Sequence, residues 1–140
     1  MKRITALLAL TFLLTVATSL CFASMDIVHV SKERARELGM KVRFTGNAPN
    51  EVWVELEFKA EGKLKDFDHV SLEIRDGDKF MLGYTPLREK RTDSGSVAVG
   101  FMANRAYLDK VTLMVVTGHP MNMTGHELRM KDFVELGKPR

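Results

Sequence analysis

Apolar and polar residues alternate along most of the chain after residue 39. The clearest run is 51–59, in which Val52, Val54, Leu56 and Phe58 occupy every second position. A period of two is typical of a β-strand with one buried face. The same alternation predicts six further strands, which contain residues 40–44, 70–74, 80–84, 97–101, 111–115 and 126–135.

Polar and glycine-containing segments separate these strands. Ser31 can cap the free amides of a short helix that extends to Leu38, and Gly39 suits the left-handed conformation that ends it. Asp76-Gly77-Asp78 is typical of a hairpin turn. We also predict a helical turn over 104–109 and polar loops over 87–96 and 118–125.

Seven short strands without a long helical pattern predict an all-β domain. Because one face of each strand is apolar, two sheets can bury these faces against each other. We therefore expect an antiparallel β-sandwich of immunoglobulin-like type, with a short N-terminal helix. A small β-barrel is the alternative. No repeat or linker divides residues 24–140, which are expected to form one domain.

The first 23 residues have the pattern of a secretory signal peptide. Lys2 and Arg3 precede an apolar stretch over 4–20, and the small residues Cys21 and Ala23 favour cleavage after Ala23. The expected location is secreted or periplasmic, and the short basic start favours a bacterial source. The alternatives are an uncleaved membrane anchor and lipidation of Cys21, although Leu20 stands where a bacterial lipidation motif requires a small residue. A membrane contact is expected only in those two cases.

Removal of this peptide changes the charge of the chain. Lys2 and Arg3 leave with it, so 19 of the 21 basic residues remain against 18 acidic ones, and the net charge is about +1. This balance predicts no nucleic-acid partner. The mixed charged segment 32–43 is interpreted as solvated surface. Because residues 24–140 contain no cysteine, the domain must be stabilised by its core and not by disulfides.

Histidine and methionine are concentrated in the segment 119–126. In an extended chain His119, Met121 and Met123 project to the same side. Thioether and imidazole ligands suit Cu(I), and the segment is similar in composition to the His/Met sites of periplasmic copper carriers. The resemblance implies a copper site formed by His119, Met121, Met123 and His126. The alternative is a hairpin loop that contains two methionines by chance.

Some apolar residues fall on strand positions that should face solvent. They are Trp53, Met81, Met102, Met114 and Val116. Large apolar side chains on a surface are typical of contact sites with a partner or a second copy of the chain. The alternative is that the 31–38 helix, the 87–96 loop or a bulge buries them.

The sequence gives little support for a catalytic function. Asp93-Ser94-Gly95 resembles the nucleophile segment of chymotrypsin-like proteases, but a triad also needs an oriented histidine beside the serine. A solvated loop is the simpler interpretation. We therefore expect an exported, non-catalytic binding or interaction domain that needs no cofactor, with an unknown protein partner or self-association. A periplasmic Cu(I)-binding protein is the alternative.

Overall fold

Two β-sheets face each other in the computed structural model, which describes residues 25–77 and 79–134. The strands are β1 Met25–His29, β2 Lys41–Ala48, β3 Glu51–Lys59, β4 Phe67–Asp76, β5 Lys79–Pro86, β6 Glu89–Arg91, β7 Ser96–Asn104, β8 Val111–His119 and β9 Asn122–Arg129. One sheet has the order β1-β9-β8-β4-β5 and the other β2-β3-β7-β6. All neighbours are antiparallel except β1 and β9. The predicted β-sandwich is therefore confirmed.

The inward positions of the strands form the core between the sheets. Val54 and Leu56 of β3 are fully buried, as predicted by the alternation in 51–59. In the other sheet Leu113 stands beside Leu128 of the neighbouring strand. Burial of each large apolar side chain contributes roughly 1.5–3 kcal/mol, so these inward positions hold the two sheets together.

The predicted helix and turns are present. Helix α1 spans Lys32–Glu37, and the Ser31 hydroxyl accepts a hydrogen bond from the Arg34 amide at 3.2 Å. Gly39 ends this segment with φ of +70°. The turn at 104–109 is a 3₁₀ helix over Arg105–Lys110. Gly77 has φ of +60° between β4 and β5, and Asp78 of this predicted hairpin turn lies outside the described residues.

Four segments differ from the sequence prediction. Strand β1 was not expected, and part of the predicted polar loop 87–96 pairs as β6 with β7. The predicted loop 118–125 is wrong, because β8 continues to His119 and β9 begins at Asn122 after a two-residue turn. The last predicted strand, 126–135, is strand only to Arg129 and is followed by a 3₁₀ helix over Met130–Asp132.

The predicted signal peptide lies outside the described residues and stays a prediction, as do the cleavage after Ala23 and the alternatives at Cys21. Over residues 25–77 and 79–134, no helix is long and apolar enough to cross a membrane.

Candidate functional site

A cleft of about 1150 Å³ opens beside β2, the edge strand of the four-stranded sheet. Helix α1, the 3₁₀ helix over Arg105–Lys110 and the residues Lys131, Phe133 and Val134 also line it. Its floor is apolar and consists of Ala35, Met40, Val42, Phe44, Val52, Leu108, Phe133 and Val134. We call this feature the basic cleft because of the charges that surround its floor.

Six basic side chains and one acidic side chain, Asp109, line the basic cleft. Arg43 is neutralised by Glu55 at 3.2 Å and Glu57 at 3.1 Å. Four of the others form no ion pair within the described residues: Arg36, Lys41, Arg105 and Lys131. The basic cleft therefore joins an apolar floor to an excess of positive charge.

Local structure fixes the positions of these cations. The end of α1 turns back sharply, with the Gly39 amide bonded to the Arg36 carbonyl at 3.0 Å and the Met40 amide bonded to the Ala35 carbonyl at 2.8 Å. This turn directs the chain from the helix into β2. On the opposite wall the Arg105 amide donates to the Asn50 carbonyl at 2.9 Å. The two walls are thereby anchored to the ends of β2 and β3.

A second depression, of about 570 Å³, lies on the outer face of the five-stranded sheet. We call it the outer groove. Six of its eight charged side chains form pairs: Arg75 with Glu73, Lys110 with Asp76 at 2.9 Å, and Arg129 with Glu127 at 2.9 Å. The other two, Asp109 and Lys131, also line the basic cleft. The buried Glu73 carboxylate also accepts a hydrogen bond from Tyr84, and burial together with this bond raises the pKa of Tyr84.

The four residues of the predicted copper site occupy different environments. His119 and Met121 lie at the exposed β8–β9 turn, where the Met121 amide contacts His119 Nδ1 at 3.5 Å. Met123 stands opposite Gly118, whereas His126 stands opposite Val115, whose side chain is in the core. Since odd and even positions of β9 face opposite sides, Met123 and His126 point away from each other. The structure does not bring the four side chains together.

His126 is instead part of the interior. Its Nε2 lies 3.2 Å from the Thr117 hydroxyl, which can donate to the Thr124 carbonyl at 3.4 Å and accept from the imidazole. Nδ1 has no hydrogen-bond partner among residues 25–77 and 79–134. Burial lowers the pKa of His126, and the positive charges of Arg34 and Lys63 lower it further. The neutral ring is therefore the form that the folded protein favours.

The five residues of the predicted partner face are divided between the two sheets. Met114 and Val116 are buried, at 1% and 3% exposure, on the outer side of the five-stranded sheet. Trp53 is half-buried on the other sheet, where its ring covers Gly100 of the adjacent strand. Met102 stands next to Trp53 and is exposed, and Met81 is exposed on the edge strand β5. The five side chains do not form one continuous patch.

Residues 92–96 form the turn that leads into β7. The Thr92 and Ser94 hydroxyls lie 2.9 Å apart, and Gly95 adopts φ of +77°. Within the described residues no histidine is hydrogen-bonded to Ser94. In the same part of the chain, no three His, Cys, Asp or Glu side chains are grouped as a metal site would require.

Sequence reasoning missed the basic cleft. The segment 32–43 was interpreted as solvated surface, yet Lys32 and Arg36 are four residues apart on α1 and line the same cavity as Lys41. The i, i+4 spacing of basic residues beside Ala35 was the available signal. Compared with known proteins, the chain matches no family model, no curated protein and no solved structure.

Proposed function

We propose that this chain is an exported, non-catalytic binding domain whose ligand is an anionic amphiphile: a linear apolar chain that ends in a carboxylate or phosphate. The basic cleft carries this proposal. Its volume of about 1150 Å³ exceeds the upper end of the usual range for small-molecule sites, about 1,000 Å³. The apolar chain would lie on the floor around Val42 and Phe44, and the anionic group would meet Arg36, Lys41, Arg105 or Lys131.

Charge complementarity favours an anion. Four cations that have no acidic partner in the described part of the chain attract negative charge to the mouth of the cleft, and an apolar floor strengthens that attraction because it excludes water. A neutral ligand would use only the floor. A cationic ligand would be repelled by the rim.

An amphiphile fits better than an extended acidic peptide. A peptide would most simply pair with the free edge of β2, but the pairing of β2 with β3 shifts between Gly46 and Ala48. A register irregularity and basic side chains such as Lys41 are features that protect edge strands from further pairing. The ligand is therefore expected to contact the side chains of the floor more than the backbone of β2.

Titration with chemically matched ligands tests this proposal. Dodecanoate, dodecanol and dodecyltrimethylammonium share one chain length and differ in the charge of the head. Below the micelle concentrations of the two charged ligands and the solubility limit of dodecanol, calorimetry should show that dodecanoate binds about tenfold more tightly than dodecanol, which corresponds to about 1.4 kcal/mol. Dodecyltrimethylammonium should bind most weakly.

Two results would overturn the proposal. Equal binding of all three ligands would show that the rim charges play no role. Binding of an acidic decapeptide, with none of dodecanoate, would show that the cleft belongs to a protein partner.

We also propose that the sandwich is immunoglobulin-like. The orders β2-β3-β7-β6 and β9-β8-β4 agree with the ABED and GFC sheets of that fold. The likeness is one of topology, because residues 24–140 contain no cysteine for an inter-sheet disulfide. A different strand order in an experimental structure would contradict it.

A further inference from the structure

Three methionines surround one glycine on the outer face of the five-stranded sheet. Met25 of β1 is in register with Met123 of β9, so these two side chains project from adjacent strands on the same face. Gly125 follows Met123 at the next position on that face. Met114 of β8 approaches Gly125 from the other side.

The distances place two sulfur atoms over Gly125. A Cβ atom added to Gly125 would lie 2.7 Å from Met114 Sδ and 3.2 Å from Met25 Sδ. The two sulfurs are therefore within about 6 Å of each other, and the missing side chain leaves the space between them open. Met114 is buried at 1% exposure, whereas Met25 and Met123 are half-buried. The cluster is thus covered on one side and accessible on the other.

We propose that Met25, Met114 and Met123 form a thioether site for one Cu(I) ion. Thioethers are soft, uncharged ligands that select Cu(I) over Zn²⁺ and over hard ions such as Mg²⁺ or Ca²⁺. Methionine has three rotatable bonds, so rotation of Met123 and a small shift of the other two bring the sulfurs around one ion. Gly125 is required at the centre because any side chain there would fill the position of the metal.

This site differs from the one that the 119–126 segment predicts. It retains Met123 but replaces the exposed Met121 and His119 and the inward-facing His126 with residues from β1 and β8. It also lies apart from the basic cleft, whose lining contains none of the three methionines. The site can therefore be tested independently of the proposed ligand.

Titration of the exported protein with Ag(I), a redox-inert analogue, and with Cu(I) buffered by bicinchoninate tests the site. We expect one ion per chain and an X-ray absorption spectrum with sulfur alone in the first shell. Met25→Leu and Met114→Leu should each weaken binding at least about tenfold. These substitutions conserve volume, so the fold should be retained, as circular dichroism would verify. Gly125→Ala should also weaken metal binding, although the three methionine side chains are still present.

Met121→Leu and Met102→Leu are the matched controls, because both side chains are exposed and lie outside the cluster. Each should bind like the unmodified protein. Loss of binding in Met121→Leu, or nitrogen in the first shell, would assign the metal to the turn and overturn the proposal. Unchanged binding in folded Met25→Leu and Met114→Leu variants would show that the three thioethers only pack together.

Discussion

The basic cleft and the outer groove are both depressions lined with charged side chains, but the charges balance only in the groove, which is lined by four acidic and four basic side chains. In the outer groove Arg75, Lys110 and Arg129 each have a carboxylate partner. In the basic cleft six basic side chains accompany one acidic side chain, and four of these cations have no carboxylate partner within the described residues. One of the four, Lys131, also lines the groove. A surface whose charges pair internally offers a ligand little net field, whereas unpaired cations beside an apolar floor attract an anion. The difference therefore lies in charge pairing and not in the presence of charge.

Charge reversal in the cleft should have the largest effect. We expect Arg36→Glu, Lys41→Glu and Arg105→Glu together to weaken dodecanoate binding by about 100-fold. Each rim charge is expected to contribute about 1 kcal/mol to the binding free energy, and the three losses add. Calorimetry would measure the change. A control with the same change in net charge is Lys65→Glu, Arg88→Glu and Lys90→Glu, at exposed positions outside both depressions. An equal loss in the control would indicate a long-range effect of net charge.

Truncation of the floor should have an intermediate effect. Phe44→Ala removes the largest side chain of β2 that contacts the cleft, and we expect about tenfold weaker binding of dodecanoate from the lost apolar contact. Leu82→Ala on the exposed edge strand β5 is the control. If both variants bind equally, the apolar chain of the ligand does not lie on the floor.

A change of pH should separate binding from stability. Neither depression is lined by a histidine among the described residues, so affinity should be constant between about pH 7.5 and 5.5. The folded state lowers the pKa of His126, so the unfolded chain binds more protons as the pH falls through the ordinary value near 6.5. The free energy of unfolding is therefore highest above that value and declines below it.

Urea denaturation at about pH 7.5 and 5.5 would measure this decline in the free energy of unfolding, and His126→Leu should make the decline smaller. A protein that becomes more stable as the pH falls would contradict the neutral, buried state of His126.

Loss of a paired charge in the groove should have the smallest effect. Lys110 is held by Asp76 at 2.9 Å, and this hydrogen bond raises the pKa of Lys110. We expect Lys110→Gln to leave dodecanoate affinity unchanged within about twofold, because exposed pairs contribute little. A loss comparable to that of the cleft variants would mean that the ligand binds in the groove.

The strands that could be predicted from the sequence are those in which apolar and polar residues alternate regularly. Val52 to Phe58 carry a strand pattern in their own sequence, and β3 forms there. By contrast, β1 has five residues without regular alternation and β6 has three polar residues, and they become strands through pairing with β9 and β7. No local pattern specifies such pairing.

The candidate site could not be predicted because its parts are distant in sequence. Arg36, Lys41, Arg105 and Lys131 meet only when α1, β2 and the two 3₁₀ segments come together. The alternation pattern also predicted that the Met114 side chain faces solvent, and this prediction is wrong. In the structure that side chain is buried against Gly125 on a neighbouring strand.

Photo-crosslinking with a diazirine-labelled dodecanoate analogue tests the central claim most directly, because mass spectrometry of the labelled peptides locates the ligand. The proposed function predicts labelling of 40–44, Phe133 and Val134, which line the basic cleft and not the outer groove, and its competition by unlabelled dodecanoate. Competed labelling at Ile27, Tyr84 or Thr112 in the outer groove, with none at 40–44, would contradict it.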